Sequence, residues 1–264
     1  MRFDLRGPGR LLAVLATVLV AACGGIPAAV STPATGPDSV IGTVDVFAAA
    51  SLSAAFKDAG TAFQTRHPNA SVRFNFAGST SLATSIDNGA PADVFASADA
   101  PNMQKVVTAG NVTGQPANFA TNKLQIVVPA GNPKEIKGLS DLAVSATVVI
   151  LCAPAVPCGN YANQALAKAG VKVTPKSQEQ DVNAVVSKVS LGEADAGIVY
   201  VTDVKAAGPK VHGVDIPDDQ NIVAVYPIAT VKGGSNPTGG YAFIDFLLSG
   251  PGQAILAGYG FSKV

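Results

Sequence analysis

Short apolar runs alternate with segments of helical periodicity from Val44 to Tyr200, and few architectures accept that alternation. A strand followed by a helix and another strand makes the strands parallel and lays the helix on the sheet face, so the expected class is α/β. The run from Val44 ends at Ser51, after which Leu52, Ala55, Phe56, Ala59 and Phe63 recur at helical spacing as far as His67-Pro68. Val72–Phe76 and Asp93–Ala96 read as strands, with a helix carrying Leu82 and Ile86 between them. A helix over Asn102–Ala109 stops at Gly110. Leu124–Pro129, Thr147–Leu151 and Ala196–Tyr200 are further strands, interleaved with helices at Tyr161–Ala169 and along Val182, Val185, Val186 and Val189. Ile222–Val231 is too long for one ordinary strand of one lobe and reads as a segment crossing back to the first, where a closing helix, Gly239–Leu248, packs. The expectation is two lobes, each with a parallel-dominated sheet flanked by helices. The crossing segments lie near 120–125 and 224–230, and a ligand cleft lies between the lobes. A single sheet running through both halves would contradict it.

Two of the strand-to-helix junctions carry a serine, Ser51 in Ala48-Ala49-Ala50-Ser51 and Ser79 in Phe76-Ala77-Gly78-Ser79. The first turn of a helix exposes unpaired N–H groups and the positive end of the macrodipole, so both junctions favour negative charge. One such serine would mean no more than an N-cap. Two, fed by parallel strands of one sheet, point to a shared oxyanion.

The N-terminus reads as an export signal, so that chemistry is expected outside the cytoplasm. Arg2, Arg6 and Arg10 precede an apolar run, Leu11–Ala22, too short to span a bilayer as a helix. Val20-Ala21-Ala22-Cys23-Gly24 resembles a lipobox, so residues 1–22 read as a lipoprotein signal peptide and Cys23 as the acylated first residue of the mature chain. The alternative is ordinary cleavage with Cys23 merely nearby. Residues 23–42, rich in Gly, Pro, Ala, Ser and Thr, read as a flexible linker. The whole chain holds 18 basic and 18 acidic residues, and removing the first 22 takes three arginines and one aspartate, leaving 15 against 17. Such a balance gives nucleic acid no purchase, and an anion site here does not rest on bulk charge. With no tryptophan and few aromatics, stacking surfaces for sugars or bases are not expected. Cys152 and Cys158 either pair, which the export compartment and even count favour, or stay reduced in a loop. A bridge would add about 2.4 kcal/mol by loop-closure entropy.

Enzyme signatures are missing: there is no GxSxG, Walker loop, HExxH or GxGxxG. His67 and His212 read as loop residues, and Glu193, Asp195 and Asp203 as a solvated face. A hydrolase built on Ser51 or Ser79 would lack a base. An adhesion or structural lipoprotein would not need two anion-directed helix starts.

The stretches VFAAASLSAAF, FAGSTSLATSI, GAPADVFASAD, VPCGNYANQAL, EQDVNAVVSKV, EADAGIVYVTDV and AGYGF cover essentially all of residues 43–261 in order. Through them the chain resembles the molybdate-binding (ModA) family, the type II solute-binding components of ABC importers. The resemblance implies residues 43–122 plus 228–264 as lobe 1 and 123–227 as lobe 2. It implies an oxyanion site at Ser51, Ser79, Cys158, Val182 and Tyr200, with Cys158 where the family usually has alanine and gives a backbone amide. It further implies molybdate or tungstate as ligand, no cofactor, no bound free metal cation and no catalysis. The implied partners are an ABC permease and ATPase, for a monomer held at the outer face of the cell membrane by its lipid. Sulfate or another tetrahedral oxyanion is the alternative ligand.

Overall fold

A computed structural model describes residues 40–264; the expected signal peptide, Cys23 and the linker as far as residue 39 lie outside the described residues. The last three residues of that expected linker belong to the fold. Val40 is buried in the core, Asn236 Nδ2 donates to Ile41 O at 2.8 Å, and Gly42 opens the first strand.

The first sheet is built on β1 (Gly42–Ala49), flanked in parallel by β2 (Ala70–Ala77) and β3 (Val94–Ala96). Helices α1 (Ser53–Arg66), α2 (Ser79–Asp87) and α3 (Ala100–Thr108) follow these strands in turn. Their burial explains the helical spacing: Ala55, Phe56, Ala59 and Phe63 of α1 all face the core. Phe56 and Phe63 meet Phe243 edge-on at 5.9 and 5.4 Å between centroids. Phe243 belongs to α7 (Pro237–Leu248), which α8 (Gly250–Gly258) follows. Each buried phenylalanine contributes about 1.5–3 kcal/mol through removal from water.

The second sheet repeats the scheme. β5 (Val149–Cys152) lies between β6 (Ser177–Glu179) and β7 (Ala196–Tyr200), all parallel, with α4 (Pro157–Lys168), α5 (Val182–Ser190) and α6 (Val201–Ala207) after them. Antiparallel strands complete both sheets. β4 (Val112–Pro129) pairs with β9 (Val223–Val231) in the first, and with β7 and β8 (Val211–Asp215) in the second.

Pairing therefore runs unbroken from β2 to β6 through β4 as one nine-stranded sheet, which overturns the expectation of two separate sheets joined only by crossing segments. The reason is length: at about 3.3 Å per residue an extended 18-residue strand reaches roughly 60 Å, enough to serve both sheets. It changes partner between Lys123, opposite Val223, and Leu124, opposite Tyr200. β9 pairs in the first sheet from residue 223 onward rather than from 228.

Other local readings change too. His212 is not in a loop but on β8, opposite Val128. His67 ends α1 and packs its ring on Phe63 at 4.6 Å. Asp203 is not solvated: it is buried, and its carboxylate accepts from Tyr200 N at 2.9 Å. No helix among the described residues is long and apolar enough to cross a membrane.

Candidate functional site

Parallel strands deliver the chain to helix starts at their C-terminal ends, and in open α/β sheets that edge is where ligands bind. Here six such exits converge on one cavity: the ends of β1 and β7, the segment after β3, and the first turns of α2, α4 and α5. Its walls include Ala49–Ser51, Gly78-Ser79 and Ala98 from the first sheet's side, and Val156–Cys158, Asp181-Val182 and Tyr200 from the second. All five residues expected from sequence, Ser51, Ser79, Cys158, Val182 and Tyr200, are brought together there. The space for the centre of a water-sized sphere is about 20 Å³, more than one water needs and far too little for an extended ligand.

Neither serine is a helix cap. Ser51 sits in a single 3₁₀ turn, Ala50–Leu52, ahead of α1, and no side-chain cap bond is made at either start. Ser79 is the first residue of α2, with Gly78 before it and again no side-chain cap. Instead the fully buried Ser79 Oγ accepts from Ala98 N at 3.0 Å, leaving its own O–H to donate. Ser51 Oγ lies 2.9 Å from Tyr226 Oη. Cys158 and Val182 stand in the first turns of α4 and α5, where backbone N–H groups lack intrahelical acceptors. Asp181, the one carboxylate in the wall, is occupied as the α5 N-cap, accepting from Ala184 N at 3.1 Å.

Tyr200 completes the set. Its hydroxyl is buried and has no hydrogen-bond partner; among the described residues only Thr230 Oγ1 shares that state, and Thr230 does not line the cavity. Burial, reinforced by Tyr226, Tyr161 and the carboxylates of Asp203 and Asp99, pushes the Tyr200 hydroxyl well above the usual phenol range, so it stays a donor. Burial likewise raises Asp203 to about 7 despite the bond from Tyr200 N. No lysine or arginine lines the cavity among the described residues, and no group of His, Cys, Asp and Glu there is arranged to hold a metal ion.

The two sides meet around the cavity. Thr80 Oγ1 donates to Ala155 O at 2.7 Å, and Asn183 Nδ2 donates to Ala50 O at 3.2 Å. Cys152 and Cys158 form a disulfide with Cα atoms 5.7 Å apart, so no free thiol faces the site. Reduction is expected to lower the unfolding midpoint, in line with about 2.4 kcal/mol of loop entropy, and to weaken ligand binding a few-fold by loosening the start of α4. Alkylation and mass spectrometry without reductant check the bond: two modified thiols would count against it.

Sequence reasoning missed Gly78, Thr80, Asn183, Asn122 and Tyr226. Tyr226 carried one signal, a hydroxyl inside the apolar run Val223–Ala229. A fully buried phenol needs a partner.

A small cavity lined by hydroxyls and helix starts, held at the exits of the strands, is a place built to hold a small solute. Residues 44–262 match the model of a family described as bacterial extracellular solute-binding protein, and the chain belongs to that family. It is 42% identical over 263 residues to the molybdate-binding protein ModA of Mycobacterium tuberculosis (strain ATCC 25618 / H37Rv), covering 100% of both chains. The periplasmic molybdate-binding protein of Azotobacter vinelandii superposes with a TM-score of 0.72 at 20% identity, covering 84% of this chain and 99% of that one. The sulfate-binding protein SubI of M. tuberculosis H37Rv does so with 0.72 at 22%, covering 84% and 87%. At those identities the two structures establish the fold and leave the ligand open.

Proposed function

We propose that this protein captures molybdate outside the cytoplasmic membrane and delivers it to the permease of an ABC importer. Molybdate near neutral pH is a proton-free tetrahedral dianion that can only accept hydrogen bonds. The observation that carries the reading is the Tyr200 hydroxyl, buried without a partner beside two serine hydroxyls and three helix starts. The five residues Ser51, Ser79, Cys158, Val182 and Tyr200 supply the donors, the first, second and last through hydroxyls and the other two through backbone amides. Each charge-assisted bond contributes about 1.5–3 kcal/mol, largely offset by dehydrating the dianion. Affinity between micromolar and nanomolar follows, about −8 to −12 kcal/mol. Without a cationic side chain in the wall, the anion leaves readily once the two lobes, 43–122 with 228–264 and 123–227, part. The ModA relative supports molybdate as the ligand, and tungstate, matched in size and charge, binds as well. The protein acts as a monomer tethered by a lipid on Cys23.

Calorimetric titration with molybdate, tungstate, sulfate and phosphate in parallel tests this. Molybdate and tungstate are expected to bind tightest, sulfate to be rejected by its shorter bonds and phosphate by its proton. Sulfate binding as tightly as molybdate would favour a sulfate carrier, a reading that the SubI fold likeness keeps in view.

A further inference from the structure

The site's preference for proton-free anions requires its hydroxyls to point their protons inward, and for Ser51 that direction is set from behind. Tyr226 Oη is fully buried, 2.9 Å from Ser51 Oγ and 3.5 Å from Asn122 Nδ2. The Asn122 amide nitrogen has only protons to offer, and it also donates to Thr202 Oγ1 at 2.8 Å. Tyr226 Oη therefore accepts from Asn122, and its single proton has Ser51 Oγ as its acceptor. Were Ser51 the donor, the phenol proton would be stranded in the core, at the full desolvation cost of an unmade bond. Burial and the Asp203 charge keep the phenol protonated. With one Ser51 lone pair filled by Tyr226, the serine proton is left for the cavity.

We propose that Tyr226, oriented by Asn122, is a positioning residue that holds the Ser51 hydroxyl as a donor and thereby excludes protonated oxyanions. This rests on the oxyanion reading of the site and adds the source of its selectivity. Tyr226 touches no ligand, because it is not part of the cavity wall. Asn122 and Tyr226 stand on β4 and β9 next to the point where β4 changes sheets, so the relay begins at the joint between the halves.

The test is Tyr226→Phe, which keeps the ring's edge-on contacts with Phe119, Tyr200 and Phe261 and removes only the hydroxyl. Molybdate, sulfate and phosphate are titrated calorimetrically in mildly alkaline buffer, where inorganic phosphate is mainly a dianion carrying one proton. In the variant Ser51 is free to turn and accept that proton. The molybdate-to-phosphate affinity ratio is expected to fall at least about fivefold, the worth of one hydrogen bond, while the molybdate-to-sulfate ratio stays put. A merely structural role would weaken all three anions together, and unchanged ratios overturn the proposal. In a Ser51→Ala background the same substitution is expected to change no affinity by more than about twofold, since its effect passes through Ser51. That double variant strands no serine hydroxyl, and a further loss of affinity there overturns the proposal even should the single variant not fold. Wild-type protein that binds none of the anions overturns the oxyanion reading and the proposal with it, whereas molybdate binding with unmoved ratios defeats the proposal only.

Discussion

Replacing Tyr200 with phenylalanine is expected to weaken molybdate binding about ten- to hundredfold while leaving the ligand-free protein at least as stable. A hydrogen bond to a charged group contributes about 1.5–3 kcal/mol, and here the donor has nothing else to bond. That hydroxyl bonds no other group of the protein, so its removal breaks nothing within the fold. Affinity falls while stability holds, which separates a ligand contact from a structural one. Ser79→Ala lacks that signature: it removes a donor from the cavity and also strands Ala98 N, so affinity and stability fall together. Titration calorimetry and thermal unfolding without ligand measure the two quantities. Equal molybdate affinity in Tyr200→Phe and wild type would remove Tyr200 from the site, whatever its burial.

Much of this was legible in the sequence because the local signals and the global fold agree. Ala196–Tyr200 is an apolar run buried on both sides, and Val44–Ala50 is nearly so apart from Asp45 and Phe47; such strands look the same in any parallel sheet. The junction serines were legible as anion-directed, yet the sequence left open whether they capped their own helices. Only geometry settled it, through Ala98 N and Tyr226 Oη. The first half of β4 was not legible. Val112–Asn118 carries Gly114 and Pro116, alternates poorly, and its ladder with β9 shifts register twice. Asp203 misled for a different reason. With Glu193 and Asp195 on the other side of an apolar strand it reads as part of a solvated face, whereas here it folds back on Tyr200 N beneath the site. Contacts across more than a hundred residues, as from Asn122 to Tyr226 and from Tyr226 to Ser51, leave no local pattern to find.

Gly78→Ala is expected to reduce molybdate affinity at least about a hundredfold, through space rather than chemistry. Gly78 has φ −59° and ψ 136°, a conformation open to any residue, so alanine adds no backbone strain. A Cβ there would stand 2.4 Å from the backbone oxygen of Gln180, on the segment that leads from β6 to α5. Ordinary carbon-to-oxygen contact begins near 3.3 Å, so the two segments must part by about 1 Å. Ser79 follows directly on one of them and Val182 closely on the other, and both line the cavity. Donors drawn back by that amount, from about 2.9 Å to nearly 4 Å, no longer make hydrogen bonds to a small rigid anion. Losing two charge-assisted bonds removes roughly 3 kcal/mol or more, which sets the hundredfold expectation. The substitution touches a contact between the two sides and not the core of either sheet, so ligand-free unfolding is expected to change little. Gly138→Ala, at a glycine with nothing within 4 Å of its added Cβ and extended backbone, serves as the control and should leave binding unchanged. Wild-type affinity in Gly78→Ala would show that the approach of Gly78 to Gln180 is dispensable, and that the donors reach the ligand without the two sides closing on it.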